Sequence, residues 1–521
     1  MFLQIFSVLI LIALVAVFIE LRKTKQSVSE LKSEIEDVNI SQEPAKCLWQ
    51  YTTESWWDLE LPEVRISTKI FKSWGTKPKA SNIRNLRNRI EEIFKNLNIK
   101  VEEINDPFIG PSATLVSFRP AVGVKIQDIL DLKNDISLAL ASHPIRIEAP
   151  IPGTNLIGIE IPNEGKAIVG LKEELETEEF KKEEGSLLVP FGRDIKYEQK
   201  IIDLFKLPHL LIGGATNSGK SMFMHSLIVS LMTQHSPNSV RFILADPKRV
   251  ELPMYNGLPH LLTPVIMDYK KARNALKWCL NEMDRRFEIL AENEAQNINA
   301  YNEKGGEKMP FIIFIVDEMA DFSVMDERNR LREDMIKILQ MGRAVGIHLI
   351  VGTSRPCDEI YPVMFRVNFA AKLAFSTASS DDSRIILDTS GAEKLLGRGD
   401  CLFVDAEMPK PVRLQLPFIS DEDIAKAIKY IKDKVGVKHN VDAVASLFPD
   451  EDDMDELIEE AKEIVIEANK ASASFLQRKL RIGYARAASI LDTLEELGVI
   501  GPANGANPRE VLVEKEVKDI S

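Results

Sequence analysis

Eight residues, Gly214, Ala215, Thr216, Asn217, Ser218, Gly219, Lys220 and Ser221, have the types and order of a phosphate cradle. The apolar run Leu210-Leu211-Ile212 and Gly213 precede them, and the helix-spaced stretch Met222–Met232 follows. Strand, G-x-x-x-x-G-K-S and helix form the full context of a Walker A loop. Glycines let the backbone close on phosphate oxygens and turn its N–H groups inward. The helix N-terminus adds partial positive charge. Lys220 is expected to reach the β- and γ-phosphates, and the Ser221 hydroxyl to ligate Mg²⁺.

A second strand should end in the acids such a site needs. Phe311–Val316 is an unbroken apolar run, as a central parallel strand requires, and it ends in Asp317-Glu318. Asp317 is expected to hold the Mg²⁺ shell, and Glu318 to orient and polarise the attacking water. Phe242–Ala245 ends at Asp246, and Ile347–Gly352 ends at Thr353-Ser354-Arg355. These strands aim polar groups at one edge, where an open α/β sheet places its ligand. Thr353 is the candidate sensor of the γ-phosphate. Asp321–Gly346 has helical spacing and several arginines.

The elements around this site divide the 521 residues into several parts. The chain is 45% hydrophobic and 28% charged, which excludes a mostly disordered or collagen-like protein. Four cysteines stand far apart with no metal-ligand spacing, which argues against a disulfide scaffold or zinc module. The net charge of −13 excludes a protein that coats nucleic acid with its whole surface. Met1–Ile19 carries only Gln4 and Ser7 as polar residues, and Arg22, Lys23 and Lys25 follow. It is read as an uncleaved membrane helix over 1–20 with the bulk of the chain cytoplasmic. A cleaved signal peptide fits less well, because no basic segment precedes the apolar run and no A-x-A site follows it. Val28, Leu31, Ile35 and Val38 give a stalk over 21–61 with two heptads of coiled-coil spacing. Residues 62–190 alternate helices (86–97, 127–142) with short strands (99–104, 113–118, 156–161), the pattern of an α+β domain. Lys172–Gly185 is Glu/Lys-rich and reads as a solvated linker or helix. The motor spans 191–440, and a linker with a C-terminal module 441–521.

The C-terminal part has its own logic. Asp450–Glu463 holds nine acids, whereas Lys470–Arg486 holds five bases and no acid. A turn at Gly483-Tyr484, a helix over Ala485–Leu497 and a strand at Val511-Leu512-Val513 complete a winged-helix pattern. The second helix would enter the major groove. Arg478, Lys479, Arg481, Tyr484, Arg486 and Ser489 are the expected DNA contacts.

Beyond these motifs, the chain resembles the FtsK/SpoIIIE family of hexameric DNA translocases from about 62 to 513. GPSATLVSFRPAVGVK and RIEAPIPGTNLIGIEIPN are similar to its α subdomain. PHLLIGGATNSGKS, DPKRVELPMYNGLPHLLTPV, GRAVGIHLIVGTSRP and SRIILDTSGAEKLLGRGD are similar to its motor. SASFLQRKLRIGYARAASILDTLEELGVIGPANGANPREVLV is similar to its γ module. The resemblance implies an α/β RecA-like P-loop motor, preceded by a small α+β domain and followed by a winged helix. It implies ATP with Mg²⁺ as cofactors, double-stranded DNA as substrate and a homo-hexameric ring. It implies chromosome segregation at the bacterial inner membrane, with division proteins or a site-specific recombinase as partners. A conjugative or phage-borne DNA pump, or a protein-secretion ATPase, is the alternative. An arginine from the neighbouring subunit would complete the site, with Arg343 and Arg384 as candidates. Two motor positions depart from the family pattern: Asn217 stands where Gly is usual, and Ser354 where Gln is usual. On the γ helix, Ala485, Ser489 and Asp492 replace the usual polar readers, which implies altered or weak sequence preference.

Overall fold

Two sheets of opposite construction account for most of the strands. The computed structural model describes residues 63–435 and 458–512, apart from 79–82, 152, 306–307, 327–328, 407, 409, 481–483, 497 and 502–508. The expected membrane helix, the stalk, most of the acidic run and Arg481 lie outside the described residues. Among the described residues no helix is long and apolar enough to cross a membrane.

The first sheet is antiparallel. Its strands are β1 (Val101–Ile104), β2 (Phe108–Ile109), β3 (Ala113–Pro120), β4 (Arg146–Glu148) and β5 (Ile157–Pro162), in the order β1-β3-β5-β4 with β2 on β3. The helix Ile83–Asn96 carries Ile90, Ile93 and Phe94 on one face, at the spacing that makes a helical stripe. These residues pack with Val116, Phe118, Ile136 and Ile159 into one buried core. The helix expected over 127–142 is two helices, Ile126–Asp131 and Lys133–Leu140, because Leu132 leaves helical geometry at φ −79°, ψ 4°.

The second sheet has nine strands: β6 (Leu188–Asp194), β7 (Gln199–Asp203), β8 (Leu210–Gly213), β9 (Val240–Ala245), β10 (Phe311–Val316), β11 (Ile347–Thr353), β12 (Ala371–Phe375), β13 (Asp400–Asp405) and β14 (Val412–Gln415). Their order is β7-β6-β14-β13-β12-β8-β11-β10-β9. The block β12-β8-β11-β10-β9 is parallel, and β13, β14, β6 and β7 extend it antiparallel. β8, β9, β10 and β11 are buried along their whole length. Helices on both faces require that, and it is why these strands read as continuous apolar runs. Counted from β8, the parallel strands lie in the order fifth, first, fourth, third, second.

The expected boundary at 190 falls inside β6, which belongs to the second sheet. The division between sheets lies between β5 and β6. Of the two readings of Lys172–Gly185, linker or helix, the structure takes the helix. The stretch forms the helices Leu171–Glu176 and Glu178–Lys182, which bury Leu171, Glu174, Leu175 and Phe180. Glu174 accepts from Arg193 on β6 at 2.7 Å, so this Glu/Lys-rich stretch is fixed to the motor sheet.

At the C-terminal end the helices Ile458–Ala468, Ala473–Leu480 and Tyr484–Glu496 enclose Ala461, Leu476, Ala487, Ile490 and Leu494. The expected wing is present as two isolated bridges, Ala471 with Arg509 and Ile500 with Val511.

Candidate nucleotide site

Parallel pairing places the C-terminal ends of five strands along one edge. β8 ends in Gly213 opposite Thr353 of β11 and beside Ala374 of β12. The next residues turn into a loop fastened on both sides: Gly214 N–H donates to the Thr353 carbonyl at 3.1 Å, and Ala215 N–H to the Ser376 carbonyl at 2.8 Å. Gly214 and Gly219 hold φ of 159° and 120°. A Cβ at Gly219 would stand 2.5 Å from the Gly399 backbone nitrogen, so only glycine closes the loop there. Asn217 adopts φ 62°, the left-handed angle that asparagine tolerates best after glycine. The helix Lys220–Gln234 starts at the end of this loop.

A cleft of about 420 Å³ opens over the loop. Ala215, Thr216, Asn217, Gly219, Lys220 and Ser221 line one side; Lys248, Glu251, Asp317 and Ser354 line the other. Lys220 Nζ donates to the Asp317 carbonyl at 2.5 Å and to its Oδ1 at 2.7 Å. Both residues are buried, at 8% and 2% exposure. Burial pushes the Asp317 carboxyl up from its ordinary range, and the Lys220 ammonium offsets only part of that. The buried Ser218 hydroxyl has no hydrogen-bond partner among the described residues and sits inside the loop. A buried cation, a carboxylate at the end of β10 and an unsatisfied donor match the needs of a metal-bound polyphosphate. A second cavity of about 740 Å³ adjoins the cleft, sharing Gly219 and Met222 and walled by Ile168, Leu396, Arg398 and Phe418.

Glu318 follows Asp317 but does not line the cleft. It is 1% exposed. Ser354 N–H donates to its Oε1 at 3.0 Å and Oε2 at 2.9 Å, and the Ser354 hydroxyl donates to Oε2 as well. Lys248 Nζ donates to Oε2 at 2.8 Å. Burial alone would raise the Glu318 carboxyl. The bonds from Lys248 and Ser354 more than offset it and hold it below its ordinary value.

Lys248 owes its place to Asp246. This fully buried carboxylate accepts from five successive backbone N–H groups, Lys248 to Leu252, at 2.8–3.1 Å. The loop thus caged carries Lys248 at one end and Glu251 at the other. Glu251 lines the cleft with Ser221 and lies 3.5 Å from His225, whose Nδ1 pairs with Tyr255 at 2.9 Å.

The sequence-predicted residues do not all meet here. The cradle residues, Lys220 and Asp317 come together in the cleft. Thr353 is buried and lies outside the cleft lining; its hydroxyl accepts from Arg355 N–H at 3.1 Å. Ser354, the next residue, occupies the place expected of Thr353. Arg343 is exposed and donates to the Phe205 carbonyl at 3.3 Å, near the opposite edge of the sheet. Arg384 is exposed and pairs with Asp381 at 2.7 Å. Neither lines this chain's own cleft. Sequence reasoning marks Asp246 only as a strand end and misses Lys248 and Glu251, although a strand-ending Asp followed by Lys and Glu is a readable signal.

In the C-terminal module Arg478 and Lys479 are exposed on the helix Ala473–Leu480. Tyr484, Arg486 and Ser489 fall on the helix Tyr484–Glu496. Asp492 on that helix is held by Arg509 at 2.5 Å, and Glu495 by the same guanidinium at 2.6 Å.

Strand order, loop and paired acids define a P-loop nucleotide-binding domain of RecA-like topology. Sequence comparison then gives the family. The FtsK/SpoIIIE family model matches residues 170–358, the FtsK alpha domain model 61–163, and the FtsK gamma domain model 452–514. The chain belongs to the FtsK/SpoIIIE family. It is similar to a DNA translocase FtsK of Clostridium tetani, 42% identical over 470 residues, covering 88% of this chain and 63% of that protein. It is also similar to the DNA translocase SpoIIIE of Bacillus subtilis, 41% identical over 478 residues, covering 89% and 60%. The chain therefore spans about three-fifths of the length of these relatives. Among solved structures, the pCW3 conjugation coupling protein TcpA with ATPγS is 22% identical, with a TM-score of 0.47 over 66% of this chain and 99% of that one. The family models also divide the chain between 163 and 170, close to the end of β5.

Proposed function

We propose that this chain is an ATP-driven motor that translocates double-stranded DNA. The observation that carries the proposal is the buried Lys220–Asp317 pair at the strand edge, closed over by a loop that only glycine geometry permits. Residues Gly214 to Ser221 would wrap the phosphates of ATP, and the adjoining cavity would take the base and ribose. Lys220 would leave Asp317 for the β- and γ-phosphates. Asp317 and the Ser221 hydroxyl would hold Mg²⁺, which when bound neutralises charge on the phosphates. Glu318 would orient the water that attacks the γ-phosphate. Ser354 lines the cleft and Thr353 does not, so Thr353 loses its place as a sensor of that phosphate. Arg343 and Arg384 are exposed away from their own cleft, as an arginine acting on a neighbour's nucleotide must be.

The remaining elements give the motor its track and its anchorage. A homo-hexameric ring would enclose duplex DNA, which reconciles a net charge of −13 with a polyanionic substrate. The C-terminal helices would add contacts through Arg478 and Lys479. With Asp492 tied to Arg509, that helix keeps little freedom to read bases, in line with altered or weak sequence preference. The segment 1–20 would fix the chain in the bacterial inner membrane with the motor in the cytoplasm, in chromosome segregation at division.

The test is ATP turnover of the full chain with and without duplex DNA. Lys220→Ala should lower DNA-stimulated turnover by at least about a hundredfold, the usual loss when a charge-stabilising group is removed. DNA binding without nucleotide should persist. Unchanged turnover in that variant would overturn the site assignment.

A further inference from the structure

The reaction proposed above needs Glu318 beside the γ-phosphate, yet its carboxylate is bound to Ser354 and Lys248 and does not line the cleft. We infer that Lys248 and Ser354 are positioning residues that latch Glu318 away from the cleft, and that the site becomes competent only when the latch opens. The inference rests on the reading of the cleft as an ATPase site.

Three observations carry it. Both carboxylate oxygens of Glu318 are occupied: Oε1 by Ser354 N–H, and Oε2 by Ser354 N–H, the Ser354 hydroxyl and the Lys248 ammonium. A carboxylate so engaged has little acceptor capacity left for a water. Secondly, Lys248 and Ser354 line the cleft while Glu318 does not, so the two latch residues stand between the carboxylate and the space where phosphate would lie. Lys248 Nζ also lies 3.3 Å from the Ser354 hydroxyl, which closes the cluster.

Thirdly, the two halves of the latch differ in how freely they move. Ser354 N–H is backbone at the end of β11 and is fixed by the sheet. Lys248 is 42% exposed on a four-carbon stem, and its backbone is held by Asp246 whatever its side chain does. The ammonium can therefore leave Glu318 without disturbing the loop. A polyphosphate in the cleft offers it a stronger anionic partner, because charge-assisted bonds to phosphate compete with those to a carboxylate. The same loop carries Glu251, which lines the cleft together with Ser221. One caged segment thus bonds the water-activating carboxylate and borders the part of the cleft where Mg²⁺ would sit.

The experiment measures turnover of the full chain, with and without duplex DNA, for wild type, Lys248→Met, Lys248→Arg, Ser354→Ala and Glu318→Gln. Lys248→Met should raise DNA-free turnover by about tenfold, the shift that removal of one charge-assisted bond produces. Ser354→Ala should raise it less, since its N–H remains. DNA-stimulated turnover should change less, so the stimulation ratio falls. Lys248→Arg keeps a cation, so its stimulation ratio should lie between those of wild type and Lys248→Met. Equal falls with and without DNA in both variants would overturn the latch, and would mean that these residues only support catalysis.

Wild type lacking turnover, or Glu318→Gln retaining it, would instead refute the ATPase reading. A double-mutant cycle on thermal stability then tests the latch by itself. Coupling between Lys248 and Glu318 should be present without nucleotide and absent with a saturating non-hydrolysed ATP analogue and Mg²⁺. Coupling unchanged by the analogue would overturn the latch.

Discussion

The nucleotide site and the C-terminal module handle charge in opposite ways. In the motor Lys220, Asp317 and Lys248, and the Asp246 that shapes the loop beside them, are each tied to another part of the chain. Lys220 holds Asp317, Lys248 holds Glu318, and Asp246 holds five backbone N–H groups. All of these groups but the half-exposed Lys248 are buried, so their geometry is set before a ligand arrives. In the C-terminal module Arg478 and Lys479 stand in water with no fixed geometry. The internal pairs there, Arg509 with Asp492 and Glu495, fasten one helix rather than build a site. The first arrangement suits chemistry, where an error of an ångström is costly. The second suits a polyanion met in many registers, where counterion release supplies the affinity.

The sharpest way to break this contrast is to unpair a buried charge. Arg413 on β14 donates to Asp400 at 2.9 and 2.7 Å and to Glu160 of β5 at 2.7 Å. Glu160 also accepts from Arg146 at 2.6 Å. Glu160, Asp400 and Arg413 are all buried, and they join the first sheet to the motor. Beside them the Ser112 hydroxyl bonds Gln415, whose amide donates to the Arg398 carbonyl at 2.9 Å, one residue from the backbone that touches Gly219. Arg413→Met should cost about 3–5 kcal/mol in chemical denaturation, since it strands the buried Asp400 and leaves the buried Glu160 with Arg146 alone. Arg413→Lys should recover only part, because lysine lacks the fork that grips Asp400. A loss below about 1 kcal/mol for Arg413→Met would mean that water reaches these carboxylates.

The same pairs mark what could be read from sequence. The cradle was legible because strand, loop and helix are contiguous and each glycine has a local reason. Asp317 was legible because it ends an apolar run. Lys248, Glu318 and Ser354 meet from positions 70, 36 and 106 residues apart, brought together by the ends of β9, β10 and β11. That meeting depends on strand order, which single-strand patterns do not contain. It also explains why the sequence points to Thr353 rather than Ser354: alternation along β11 is not anchored to a face by its own residues. Glu160 and Arg413 lie 253 residues apart. The readable hint was a glutamate inside the buried strand Ile157–Pro162, a conflict that only a distant cation resolves. The Glu/Lys-rich stretch 172–185 was legible as a possible helix but not as one fixed to the motor, because its anchor, Glu174 on Arg193, depends on a residue of β6.

A smaller effect follows from histidines buried under the sheet. His348 pairs with the Pro208 carbonyl at 2.9 Å, and His209 accepts from Leu349 N–H at 3.0 Å. Burial pushes His348 down to about 4 and His260 to about 3, while His209 is lowered by burial and by His348. Asp203, Arg286 and Arg343 act on His348, and Arg241 and His235 on His260. A depressed folded-state value means that the unfolded chain binds protons first. Stability is therefore full above about pH 6.5 and falls as pH drops toward 4. Each such histidine should remove about 1 kcal/mol by pH 5.5. Denaturant melts at pH 7.5 and 5.5 measure the sum, and His348→Gln should flatten the slope. A slope unchanged by that substitution would mean that His348 is solvated in the native state.

The smallest expected effect on stability is in the C-terminal module, and there the comparison is most exposed to failure. Arg478→Ala with Lys479→Ala removes two solvated charges from a helix that buries Leu476. Stability should change by no more than about 0.5 kcal/mol per site, as for surface positions generally. Affinity of the full chain for duplex DNA without nucleotide should fall, and the slope of log affinity against log salt should drop by about 0.9 for each phosphate no longer neutralised. The fall should be uniform across sequences, because bonds to phosphate carry no sequence information. A fall at one sequence only would make these residues base readers. A melted module with an unchanged slope would make them part of the packing, and the division between a preset site and a solvated one would fail at its simpler end.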